Sequence, residues 1–269
     1  MIRIFSILVG AFFSLALLWS FGNGAYNQIT DPPAPTAEEE FHQHPRALHL
    51  SSDGVFGHYD RQQLQRGFAV YQQVCASCHS LRQIAYRDLE QLGYDEGQVK
   101  TLAKDVTINA PDPLTHELKD RPGLPSDHFP AVVYAGQGTP PDLSLITKAR
   151  HGGAAYVYSL LTGYRNQPAD LIKQFPDAKT GPGLHYNPWF ANLNIAMPPP
   201  LTAEGQVTYS DGTKATVDQM AQDVSAFLVW TAEPTQDKRR QTGWAVLGFL
   251  IFATILAYLS KKQIWADVH

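Results

Sequence analysis

Residues 75–79 read Cys-Ala-Ser-Cys-His, and Cys75 and Cys78 are the only two cysteines in the chain. Two thiols three positions apart with an adjacent imidazole form the attachment string of a c-type haem. The thiols add across the haem vinyl groups, and His79 is placed to ligate the iron. A zinc site would need about four ligands, usually from a second Cys/His pair at similar spacing, and the sequence has none. A thioredoxin-like redox motif would follow a strand and would have no use for His79. The chain must therefore close a protein shell around a flat covalent group, with one axial ligand fixed by the string and the other to be found elsewhere.

Two apolar runs bound that shell. Residues 4–21 are uncharged and mostly apolar after Arg3, and residues 243–259 form a second run followed by Lys261 and Lys262. Each is near the length that crosses a bilayer as a helix. The first fits either a retained anchor or an export signal cut near Gly22-Asn23-Gly24, since both begin with a base and an apolar stretch. Arg3 favours the N-terminus inside and the middle of the chain outside. The cluster Lys238, Arg239 and Arg240 on the other flank of the second run argues the opposite way, so loop charge alone leaves that span open. Haem attachment on the outer face of a bacterial membrane favours an exported middle.

The chain as a whole has 17% charged and 44% apolar residues, which is folded rather than disordered composition. Residues 27–236 hold 23 Asp/Glu against 15 Lys/Arg, a net charge of −8. Such a field argues against nucleic acid and would draw a basic partner.

The expected division is an anchor or signal over residues 1–24, an extended tether over 25–50, a haem domain over 51–236, a membrane helix over 241–260 and a tail over 261–269. Prolines and a Glu38-Glu39-Glu40 run mark the tether. Asp60 with Gln63 reads as a helix start. Leu64, Phe68, Tyr71 and Val74 or Cys75 then follow at helical spacing, straight into the haem string. Short helices are expected near residues 86–92, stopped by Gly93, and 95–105. Residues 107–141 and 165–200, dense in Pro and Gly, read as long loops. Residues 142–151 and 154–162 read as helices, and Tyr209-Ser-Asp-Gly-Thr213 as a tight hairpin. A last helix starts at Thr216. The fold class is mainly α: a c-type cytochrome domain with long loop insertions, a small hairpin, a C-terminal transmembrane helix and an N-terminal transmembrane helix or signal.

The second axial ligand separates a gas- or peroxide-binding iron from an electron carrier. Of three methionines, Met1 precedes a membrane run and Met220 lies on the apolar face of a helix, where packing is its role. Met197 stands before Pro198-Pro199-Pro200, whose fixed φ angles stiffen the loop around its sulfur. His151 and His185 are the rival ligands. His/Met ligation raises the haem potential, which suits a late step of an electron-transfer chain.

Beyond this string, longer stretches carry a resemblance. They are Arg66 through Ser80, Pro140-Pro-Asp-Leu-Ser144, Ala149-Arg-His-Gly-Gly153 with Tyr156 through Tyr164, Asn187-Pro-Trp-Phe190, Ala196-Met-Pro-Pro-Pro-Leu201 and Asp223 through Pro234. In that order, and ending in one membrane helix, they resemble the cytochrome c1 family of the cytochrome bc1 complex. The resemblance implies one haem c on Cys75 and Cys78, with His79 and Met197 as axial ligands. It implies that Arg150 approaches a propionate, that Tyr156 lies near the haem, and that Pro140, Pro141 and Leu143 line its edge. It also implies an electron relay from a Rieske iron–sulfur protein to cytochrome c, beside cytochrome b, in a dimeric complex with the haem on the periplasmic side of a bacterial inner membrane. No catalysis by this chain alone is implied. Some bacterial relatives carry a further cysteine pair in the long loops; here proline or packing must hold residues 163–190.

Overall fold

The computed structural model describes residues 2–111, 116–136 and 138–267. A helical domain lies between two long terminal helices. Helix α1, Ile2–Thr30, buries no residue, and the last helix, Gln236–Ile264, buries only Gln236. At 29 residues each, they are about 43 Å long, enough to cross a hydrocarbon core of about 30 Å. Both are long and apolar enough to span a membrane.

Helix α2, Ala37–Phe41, starts in a capping box between Thr36 and Glu39. Helix α3, Arg61–Val70, is capped by Asp60, whose carboxylate accepts from the N–H groups of Gln62 and Gln63. It runs without a break into a π-helical turn, Tyr71–Cys75. A 3₁₀ helix follows at Tyr86–Leu92 and stops at Gly93 (φ 98°), then α4, Glu96–Lys104, boxed by Asp95 and Gln98. Strands β1, Thr107–Pro111, and β2, Leu118–Pro122, pair antiparallel with Thr107 opposite Pro122. Helices α5, Ile146–Ala149, α6, Gly153–Leu161, and α7, Ala169–Gln174, come next, the last followed by a 3₁₀ turn at Pro176–Ala178. Two-residue strands β3, His185–Tyr186, and β4, Asn194–Ile195, pair antiparallel. Helix α8, Val217–Ala232, is capped by Thr216, and Gln236–Ile264 is α9.

The core forms where α3 crosses α8. A Cβ on Gly67 would meet the Asp223 carbonyl oxygen and the Phe227 Cβ, so glycine is what lets the two backbones approach. Around this crossing Phe68 meets Tyr94, Phe129 and Phe227 edge-on or tilted, and Phe227 stacks on Trp230. Arg66 pins the crossing: Nε and Nη2 donate to the buried Asp223 at 2.9 and 3.2 Å, and Nη1 to Asp211 at 2.7 Å. Asp223 is fully buried, and losing Arg66 would leave its charge stranded, which costs far more than the pair itself contributes. A smaller cluster of Ala37, Leu171, Tyr186 and Leu193, with Phe41 and Phe175 against it, packs α2 onto α7.

Several expectations are corrected. The loop expected over 107–141 contains the β1–β2 hairpin, and the one over 165–200 contains α7, the 3₁₀ turn and the β3–β4 pair. The helix expected over 142–151 shrinks to the four residues of α5. The hairpin expected at Tyr209–Thr213 is a turn without a ladder: Gly212 takes φ 78°, and Asp211 accepts from the Thr213 N–H and from Arg66. Nor are residues 25–50 a loose extended tether. Helix α1 continues to Thr30, and residues 42–46 are strapped across the domain. Gln43 N–H donates to the Pro188 carbonyl (2.7 Å), Arg46 N–H to Ser159 Oγ (2.8 Å), and Trp189 Nε1 to the His44 carbonyl (3.1 Å). The Arg46 guanidinium lies 4.9 Å from the ring centroids of both Tyr158 and Trp189, a cation–π pairing that polar composition does not reveal.

Candidate haem site

The attachment string leaves α3 as a single winding. Ala76 N–H reaches back to the Tyr71 carbonyl (2.8 Å), closing the π turn, and the N–H groups of Cys78 and His79 then both donate to the Cys75 carbonyl, at 3.1 and 2.9 Å. Cys75, Cys78 and His79 are thus carried by one rigid segment, which the Tyr71 hydroxyl braces by donating to the His79 carbonyl (2.9 Å). Both cysteines are free and half-buried, and Val74, Cys75 and Ala76 pack against the main core. Burial, with the Cys78 sulfur beside it, pushes the unattached Cys75 thiol up to about 12.

The His79 ring is oriented by backbone. Its Nδ1 lies 2.8 Å from the Pro141 carbonyl oxygen, which can only accept, so Nδ1 carries the proton and the Nε2 lone pair is left for a metal. The segment that supplies this carbonyl is stitched to the string. Leu143 N–H donates to the Ser80 carbonyl (2.9 Å), and the Asp142 carboxylate accepts from the N–H groups of Arg82 and Ser144, each at 2.9 Å. Burial raises the Asp142 carboxyl, but these hydrogen bonds outweigh it and hold it below the usual carboxylate range. Leu143 is buried in the main core and Pro141 is exposed.

Met197 lies half-buried in the loop after β4. The Tyr164 hydroxyl donates to its carbonyl (3.1 Å), and Gln206 Nε2 donates to the Pro200 carbonyl (2.7 Å), so the proline run is held at both ends. Tyr164 is largely buried and its phenol is pushed up by burial and by Tyr156. Tyr156 is raised in turn by burial, against the opposing effect of the nearby Arg150 guanidinium. Met197, Tyr164, Tyr156 and Arg150 therefore form one chain of neighbours, and His79, Pro141 and Leu143 another. Met220 is fully buried among core side chains, His151 is exposed in a turn, and the His185 ring lies edge-on to Tyr164, centroids 6.4 Å apart.

Hydrogen bonds and close packing hold the loops on the Met197 side. Gln167 accepts from Thr180 N–H (2.9 Å) and donates to the Ala178 carbonyl (2.7 Å). Asn187 Nδ2 donates to the Leu160 carbonyl (2.8 Å), and Gly163 lies under the Trp189 ring, where a Cβ would collide with Cε3. Two contributors were not legible in the sequence. One is Tyr164, a tyrosine in an unremarkable helix exit; the other is the Pro141 carbonyl, a backbone atom that side-chain identity cannot announce.

The donor set fits a haem. It has two free thiols on one turn, an imidazole with one nitrogen already engaged, and a thioether in a stiffened loop. Among the described residues no three His, Cys, Asp or Glu side chains gather to hold a bare metal ion.

A helical domain with this turn and two membrane-length terminal helices defines a membrane-anchored c-type cytochrome. Residues 50–268 match the family model described as Cytochrome C1 family. The chain is 43% identical to cytochrome c1 of Rhodospirillum rubrum, covering 80% of this chain and 85% of that protein. It is 39% identical to the yeast protein named cytochrome c1, heme protein, mitochondrial, over 84% of this chain and 73% of the relative. It is 42% identical to a Bradyrhizobium diazoefficiens protein named cytochrome b/c1, over 80% of this chain but 35% of that longer protein. The chain belongs to the cytochrome c1 family, the haem-bearing electron-transfer subunits of the cytochrome bc1 complex. Its cofactor is one haem c.

Proposed function

We propose that Cys75 and Cys78 hold the haem, that His79 and Met197 cap the iron, and that Arg150, Tyr156, Pro141 and Leu143 line its pocket. The observation that carries this reading is the 2.8 Å contact of His79 Nδ1 with the Pro141 carbonyl, which readies the opposite nitrogen for iron. When bound, the haem supplies a one-electron ferric–ferrous couple. The chain's own residues tether it, orient His79, hold Met197 through Tyr164 and keep water from the crevice.

In this role the chain receives one electron from a Rieske iron–sulfur protein and hands it to cytochrome c, making and breaking no bonds itself. Residues 51–236 form the haem domain on the periplasmic side of a bacterial inner membrane, residues 241–260 the span, and residues 261–269 a cytoplasmic tail. Cytochrome b is the partner beside the span, in keeping with the relative named cytochrome b/c1, and the complex is dimeric. The net −8 of residues 27–236 suits a basic acceptor, whose rate should then fall as salt rises.

Met197→Leu tests the ligand assignment. The potential is expected to fall and the reduced protein to bind carbon monoxide. An unchanged potential, with carbon monoxide still excluded, would place the sixth ligand on another residue.

A further inference from the structure

Away from the haem site, residues 51–59 form a loop clamped to the start of α9. Arg240 Nη1 donates to the carbonyls of Ser52 (3.0 Å) and Gly57, and Gln236 Nε2 donates to the Ser52 carbonyl (3.1 Å). The Asp237 carboxylate accepts from the Tyr59 N–H (3.2 Å), and the Tyr59 hydroxyl donates to the Glu233 carbonyl (2.9 Å). Within the loop Asp53 accepts from the Leu50 N–H (2.8 Å), and a Cβ on Gly57 would strike the Asp53 carbonyl. The loop is therefore rigid by construction.

Its tip is nonetheless apolar and bare. Val55 is 64% exposed and Phe56 82% exposed. Phe56 stacks on Trp244 of α9 with ring centroids 5.2 Å apart and planes 8° apart. Trp244 stands where the apolar run of α9 begins, one turn past Lys238, Arg239 and Arg240. Tryptophan concentrates at the membrane–water boundary, and flanking cations sit at the level of the lipid phosphates. The loop tip thus lies level with Trp244, and its apolar surface continues directly into that of the apolar run of α9.

We infer that residues 51–59 are a membrane-interface anchor, with Val55 and Phe56 entering the headgroup–acyl boundary of the bilayer beside Trp244. This continuity with the span selects lipid over a soluble partner as the occupant. The haem domain is then held to the membrane at two places, the axis of α9 and the loop tip, which restricts how far it can tilt. The inference rests on α9 crossing a membrane.

The haem-loaded full chain, placed in phosphatidylcholine–phosphatidylglycerol nanodiscs, tests it. Nitroxide labels are attached singly to Val55→Cys, to Leu124→Cys as a water-exposed control and to Phe252→Cys in the middle of α9. Collision rates with oxygen and with an aqueous nickel chelate are then compared. The label at 55 is expected to show an oxygen-to-nickel ratio several-fold above that at 124 and below that at 252. A ratio at 55 equal to that at 124 overturns the anchor, as does shielding from both reagents, which would mean that protein covers the tip. An aqueous signature at 252 would instead overturn the span, and the anchor with it.

Discussion

His79 stands at the end of a capped helix whose buried face crosses α8, whereas Met197 stands in a loop that side-chain amides and hydroxyls hold in place. On the His79 side, Leu64, Phe68 and Tyr71 are each buried, and the turn that presents His79 inherits the rigidity of that packing. On the Met197 side the fixed points are Gln167, Thr180, Asn187 and Tyr164, each a net contribution of only about 1 kcal/mol. The contrast means that His79 is secured by the cooperative core of the domain, and Met197 by contacts able to open without unfolding it.

Each side has one glycine at its tightest approach, and that pair offers the strongest way to break the contrast. Gly67→Ala forces α3 off α8 against backbone and Phe227, and is expected to cost roughly 3 kcal/mol and to lower the unfolding midpoint of the whole domain. A urea midpoint within error of wild type would show that the crossing is not the keystone. Gly163→Ala meets the Trp189 ring and the Ser159 carbonyl, and is expected to cost roughly 1–2 kcal/mol locally. Amide exchange should quicken across residues 163–200 and the near-infrared sulfur-to-iron band weaken, while exchange in α3 and α8 stays slow. Equal loosening of α3 would erase the distinction between the two sides.

The smallest effect is electrostatic. Arg121 grips Asp127 with bonds of 2.6 and 2.8 Å and holds its carboxyl below the usual carboxylate range. A depressed carboxyl stabilises the fold above its unfolded pKa and ceases to do so as pH falls through its folded value. The stability advantage of wild type over Asp127→Asn should therefore be present at pH 6 and shrink below about pH 4. An advantage independent of pH would remove this ion pair from the account.

The same contrast explains what was legible beforehand. The apolar spacing from Leu64 to Cys75, the Asp60 and Thr216 caps and the Gly93 stop are local signals, and each element formed where it was expected. The attachment string needed only residue types at fixed spacing, and the proposal of Met197 rests on the prolines that follow it. By contrast β1, Thr-Ile-Asn-Ala-Pro, turns only Ile108 and Ala110 inward, and β2, Leu-Lys-Asp-Arg-Pro, is almost wholly exposed, too short an apolar pattern to mark a strand pair. Asp211-Gly212 did make a tight turn, but its carboxylate serves Arg66 rather than a ladder. The Met197 surroundings depend on pairs far apart in the chain, such as His44 with Trp189, which no local window contains.

The π-helical winding at Tyr71–Cys75 takes in one residue more than an α turn would before the attachment string. Each residue of an α-helix advances about 100° around the axis. Wound at ordinary α pitch, the same five residues would turn further about the axis and swing the His79 imidazole, with the two thiols, away from the Pro141 carbonyl. The wider winding thus sets the heading on which the attachment string leaves α3.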